Sequence, residues 1–174
     1  KSYDGVSDQE FEKVLQASSK GQMKKLKQFL KKRKGQINRS DSFGRTLLHA
    51  ACSKGQLKAA KLLLKQHGIQ VNQANQNGMT ALIAAAMNGH VEVVRLLLSK
   101  SDIDINKADN NGYTALFCAA HEGHVEVVRL LLSTSDVDIN KTEHNGITAL
   151  YTASCDGHVE VVRLLLSKSE IDIN

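Results

Sequence analysis

Apolar and polar positions in this chain follow one block of 34 residues, repeated, rather than a single continuous helical or strand pattern. The most regular part of the block, GHVEVVRLLL, stands letter for letter at 89–98, 123–132 and 157–166. The VEVVRLLL portion predicts a helix with two apolar faces, one carrying Val93 and Leu96 and the other Val94, Leu97 and Leu98. Ahead of it lies a shorter, Ala-rich run such as residues 81–86, read as a first helix. Thr46, Thr80, Thr114 and Thr148 stand just before these runs, where a hydroxyl caps a helix. Gly89 and its equivalents separate the two helices, and IDIN predicts an extended segment leading to the next block. Fixed periods of this length mark solenoids, in which each unit contacts only its neighbours.

Two glycine registers set the frame. Gly44, Gly78, Gly112 and Gly146 follow the turns, and Gly21, Gly55, Gly89, Gly123 and Gly157 divide the helices. Asn77-Gly78, Asn111-Gly112 and Asn145-Gly146 predict tight turns, because both residues tolerate positive φ. The chain divides into a leader at 1–6, a degenerate first unit at 7–40, and units at 41–74, 75–108, 109–142 and 143–174. In the first unit Val93 and Leu96 are replaced by Lys25 and Gln28, while Leu26, Phe29 and Leu30 keep the other face apolar. That half-polar helix is what an N-terminal cap requires. The last unit keeps Val162, Leu165 and Leu166 apolar, and further C-terminal repeats, a capping segment or a partner are expected to cover them.

The run DNNGYTALFCAAHEGHVEVVRLLLS, closed by DIN, resembles the ankyrin-repeat family's D-x-x-G-x-T-P-L-H-x-A-A, G-H, Val/Leu-helix and D-V-N pattern. The resemblance is strong over 38–174 and weak over 8–37. It departs where proline is expected, with Leu47, Ala81, Ala115 or Ala149 there instead. Only Thr46-Leu47-Leu48-His49 keeps the motif's histidine, so Thr–His hydrogen bonds between units are expected to be fewer. Units are one residue longer than usual, the extra one falling near Ser101, Ser135 and Ser169. The resemblance implies an all-α solenoid of helix-turn-helix units with β-hairpin-like loops, stacked with a right-handed curve. It also implies a concave groove, lined by turn tips and first helices, that holds a protein partner.

Charge changes the picture more than composition does. The formal net charge of +5 divides into +11 over residues 1–70 and −6 over 71–174, so the two ends attract different partners. No apolar run approaches a membrane span and no signal peptide opens the chain, so an intracellular location, cytoplasmic or nuclear, is expected. Cys52, Cys118 and Cys155 form no CxxC pair and read as small, buried, reduced side chains.

Little in the sequence points to catalysis. His90, His124 and His158 recur at the second-helix start and read as structural hydrogen-bonding residues. His121 and His124 lie three apart across a glycine break, with no ligand set completing a metal site, and HEGH is not the HExxH of a zinc protease. Glu92–Arg95, Glu126–Arg129 and Glu160–Arg163 read as solvated i,i+3 pairs. No enzyme activity, cofactor or metal is expected.

Two surfaces remain. Lys24, Lys25, Lys27, Lys31, Lys32, Arg33 and Lys34 form a basic patch, which is a solvated cap helix, an import signal, or a site for anionic lipid or nucleic acid. The residues after the turn glycines, Arg45, Met79, Tyr113 and Ile147, would stack into a ladder flanked by Phe43, Met87, His121 and His144. This ladder is the expected partner-binding site of a non-catalytic scaffold or adaptor. Alternatives are the targeting arm of a larger enzyme, lipid or nucleic-acid binding through the first unit, or an array with no natural partner.

Overall fold

The computed structural model describes residues 7–173, and the leader at 1–6 lies outside them. Among the described residues there are ten α-helices and no strand. They are α1 (Asp8–Ser19), α2 (Met23–Lys32), α3 (Leu47–Cys52), α4 (Leu57–Leu63), α5 (Ala81–Met87), α6 (Val91–Leu98), α7 (Ala115–His121), α8 (Val125–Leu131), α9 (Ala149–Cys155) and α10 (Val159–Leu166). A single antiparallel bridge joins Ser40 and Thr46. Consecutive helices pair, the first helices pack in one row from α1 to α9, and the second helices pack in another from α2 to α10. None of the described helices is long and apolar enough to cross a membrane.

Helices of six to eight residues are too short to persist alone, so caps and packing hold them. Each threonine hydroxyl accepts the N–H three residues on, as Thr114 does from Phe117 at 3.2 Å. Every side chain from Ala81 to Ala86 is buried, which lets α5 lie between α3 and α7. The second row is filled by Val93, Val94 and Leu97 and by their equivalents in α8.

Bonds that cross between units recur with the period. His90, His124 and His158 stand at the N-cap positions of their helices without a side-chain cap bond. Each Nε2 instead reaches a carbonyl of the unit before, at Ser53 (3.2 Å), Met87 (3.0 Å) and His121 (2.8 Å). A Cβ on Gly123 would sit 2.6 Å from the His158 ring, so that glycine also makes room for its neighbour.

The IDIN segments are not strands. Their asparagines form a ladder: the Asn72, Asn106 and Asn140 amides donate to the carbonyls of Asp102, Asp136 and Glu170 at 2.6 Å. Their side-chain oxygens accept from Asp104, Asp138 and Asp172 N–H at 2.8–2.9 Å.

The Asn-Gly turns form, with the glycine alone taking the positive φ. Among the described residues only glycines have positive φ. Asn77 stays in ordinary backbone because the Asn75 Oδ1 accepts both the Asn77 and Met79 N–H groups, at 2.9 and 3.0 Å. Successive loops are then joined by one backbone bond each, such as Asn110 N–H to Asn77 O at 2.9 Å.

His49 alone keeps the motif's imidazole. Its Nδ1 accepts from the Thr46 N–H (3.1 Å), while Nε2–H donates to Met79 O in the next unit (3.0 Å). Burial pushes this imidazole below its ordinary value, the bond to Met79 offsetting only part of that.

At the first unit Lys25 and Gln28 are exposed, as a cap needs. At the other end the apolar face differs in part from the expected one. Leu166 stands out as expected (50% exposed) and Val162 is half-buried, but Leu165 is fully buried, while Tyr151 (59%) and Val159 (59%) are exposed as well. Cys52 and Cys118 are buried as expected, whereas Cys155 is exposed.

Candidate partner-binding surface

The loop residues that vary most from unit to unit sit on a backbone that does not vary. The N–H groups of Arg45, Met79, Tyr113 and Ile147 all donate to the side-chain oxygen four residues earlier, on Asp41, Asn75, Asp109 and Glu143, at 2.8–3.1 Å. Each loop therefore holds its side chain at one place relative to its helix. At Asp41 burial works to raise the carboxyl, but donors from Arg45 and Phe43 outweigh it and hold it below its ordinary value.

Four of the expected site residues meet at one junction. Met87, Tyr113, His121 and Ile147 line a cavity of about 440 Å³ between the fourth and fifth helix pairs. Phe117, Glu122, Tyr151, Thr152 and Cys155 share its wall. Tyr113 and Phe117 lie face to face, with ring centroids 4.7 Å apart and planes within 3°. Phe117 continues toward His121 at 6.5 Å, giving an aromatic row at four-residue spacing that runs from the loop end at Tyr113 onto α7. His121 belongs to one unit and is held by the next, with Nδ1 2.8 Å from Asp156 Oδ2 and 3.1 Å from Thr152 Oγ1.

The other expected residues lie elsewhere, so the ladder does not line one continuous cavity. Arg45 and Met79 border a separate cavity of about 220 Å³ that also touches His49 and Glu12. Phe43 stands 62% exposed at its loop, with the Arg45 guanidinium 5.2 Å above its ring. Arg45 is tied to Asp41 at 2.6 Å. His144 is exposed at the last turn, where its N–H donates to Asn111 O, and it lines neither cavity.

Phe117 and Tyr151 lie outside the expected ladder of residues after the turn glycines. Their signal in the sequence is the motif's histidine position, which reads His49, Ile83, Phe117 and Tyr151.

The chemistry of the cavity suits contact more than catalysis. The Cys118 thiol is pushed up to about 12, by burial first and then by the Asp109 and Glu122 charges, so it is not a thiolate near neutral pH. The Thr152 hydroxyl donates to the Asp156 carboxylate (3.3 Å). His124 turns its Nε2 to Met87 O, away from any shared site with His121, and among the described residues no three ligating side chains gather.

The basic patch is a different surface, on the first helix pair. Lys24, Lys25, Lys27, Lys31 and Lys32 are exposed, Arg33 lies 3.9 Å from Glu10, and the Lys34 side chain lies outside the described residues. The three i,i+3 pairs form as expected at 2.9–3.5 Å on the solvated side of the second helices.

A family model for ankyrin repeats (three copies) matches residues 14–109 and again 101–174. A search of curated proteins returned no match. Two overlapping matches over nearly the whole length, on paired helices joined by hairpin-like loops at a 34-residue period, lead to one conclusion: the chain belongs to the ankyrin-repeat family.

Proposed function

We propose that this chain is a non-catalytic scaffold that holds a protein partner on its loop-and-first-helix face, with the Tyr113 cavity as the anchor point. Ankyrin repeats are generic protein–protein interaction modules. The observation that carries the reading is the stacked Tyr113–Phe117 wall opposite Ile147 and Met87. Rigid aromatic side chains around a preformed hollow are the usual anchors of an interface, since little ordering is lost on binding. The acidic balance of residues 71–174 would turn a basic surface of the partner toward this half.

The test is capture with mass spectrometry at near-physiological salt, after circular dichroism shows each variant folded. Tyr113→Glu with Ile147→Glu places two carboxylates in the cavity and is expected to release the partner. Phe43→Ser with His144→Ser changes residues outside it and is expected to keep it. A partner retained by the first variant and lost by the second would move the site to the loop tips.

A further inference from the structure

The fold splits the basic run of α2 into two sets. Lys25 and Lys32 join Lys13 of α1 and Lys20, which caps its C-terminal end, to line a groove of about 350 Å³ between the two helices. Lys24, Lys27 and Lys31 are equally exposed but stand outside that lining. The helices run antiparallel, joined by the short turn at 20–22 and closed at the far end where Glu10 meets Arg33. Lys20 and Lys25 therefore sit at the turn end, and Lys13 and Lys32 at the other. Seven residues separate the lysines on each helix, two turns or about 10 Å.

None of the four lysines is in an ion pair with another described residue, and the one acid in the lining, Glu10, faces Arg33. Like charges set in two facing rows repel one another. A cap needs only polar side chains, and Gln16 and Gln28 already supply them between the rows. The unrelieved repulsion is what a ligand of opposite sign removes.

We propose that this groove binds an acidic protein segment with carboxylates at two points about 10 Å apart, seven residues apart if helical or three if extended. The site is separate from the Tyr113 cavity and does not depend on its role. A peptide suits the groove better than the other anionic surfaces. Its floor, Val14 and Phe29, is buried, so no apolar side chain is available to enter a bilayer. The slot is one helix pair wide, which excludes a duplex, and the aromatic beneath it is covered and cannot stack a single strand. Gln16 and Gln28 offer both donors and acceptors to a peptide backbone.

The experiment is fluorescence anisotropy with a labelled Ala-rich peptide of about 15 residues carrying two Glu pairs seven positions apart, at about 0.15 M salt. It compares the full chain with two variants of equal charge, each checked by circular dichroism. Lys13→Gln, Lys20→Gln, Lys25→Gln and Lys32→Gln together empty the groove. Lys24→Gln, Lys27→Gln and Lys31→Gln of α2, with Lys58→Gln on the exposed side of α4, remove the same charge outside the groove. The first set is expected to weaken binding at least about tenfold and the second about twofold or less. Equal losses would mean that net charge alone attracts the peptide, and the groove proposal fails. It fails also if the native chain does not bind the peptide. Tighter binding to phosphatidylserine vesicles or duplex DNA than to the peptide, lost with the groove variant, would reassign the groove to that ligand.

Discussion

Two glycines with nearly the same backbone separate the strain of a turn from the contact between units. Gly68 has φ +74 and open space around its missing Cβ, whereas Gly78, at φ +79, faces the next loop. A Cβ there would lie 2.6 Å from Asn110 N and 2.9 Å from Asp109 C, and it would meet Asn110 Oδ1 as well. In Gly68→Ala only the left-handed conformation is penalised, about 1–2 kcal/mol. In Gly78→Ala the same strain is joined by displacement of the neighbouring backbone and loss of the Asn110–Asn77 bond, itself worth about 1 kcal/mol. Gly78→Ala is thus expected to cost about 2 kcal/mol more than Gly68→Ala. For a chain of this size that difference is a further fall in Tm of about 4–8 °C. Both positions lie inside the array, so urea and thermal unfolding followed by circular dichroism read both against the same core. Variants equal within about 0.5 kcal/mol would refute the idea that loop-to-loop packing stabilises the stack.

Three further outcomes follow from single side chains. Because burial lowers the His49 value in the folded chain, the unfolded chain binds the extra proton below its ordinary value of 6.5. Stability should hold above that pH and fall as pH drops below it, and His49→Gln should flatten the slope of unfolding midpoint against pH. Thiol labelling of the native chain should modify Cys155 rapidly and leave Cys52 and Cys118 until unfolding, since both are buried with their thiols pushed up. A second fast thiol would contradict the packing of α3 or α7. Thr114→Val removes the oxygen that receives the Phe117 N–H and should cost about 1 kcal/mol in urea unfolding. A loss no larger than that of an exposed Thr142→Val would show that the cap does not matter.

What could be read in advance was what a single unit decides for itself. The 34-residue frame, the threonine caps, the alanine-rich first helices and the polar outer side of α2 are all local patterns. Contacts between equivalent units were hidden, because the partners carry the same letters and lie 30 to 37 residues apart. That is why IDIN read as extended rather than as an asparagine ladder. It is also why the Gly-His pair read as a helix boundary rather than as a ring seated over the previous unit's glycine. The Asn-Gly turns were legible as turns, but not that Asn75 and its equivalents satisfy the loop N–H groups and leave asparagine no need for positive φ. The candidate surface was half legible. Tyr113 and Ile147 stand out as variable rungs, but only stacking shows that Phe117 and Tyr151 complete their cavity while Phe43 and His144 stay apart.

The asparagine ladder has a consequence for how such a chain lengthens. Each rung takes its donor and acceptors from fixed positions in adjacent units, so its bonds are independent of the unit's place in the array. Copying one 34-residue block in frame creates a new rung on each side with no further substitution. A copy one residue short would misalign every carbonyl with its amide at the joint. The identity of residues 89–98, 123–132 and 157–166 fits duplication of whole blocks and selection of one consensus block alike, since either keeps the bonding between neighbours in step.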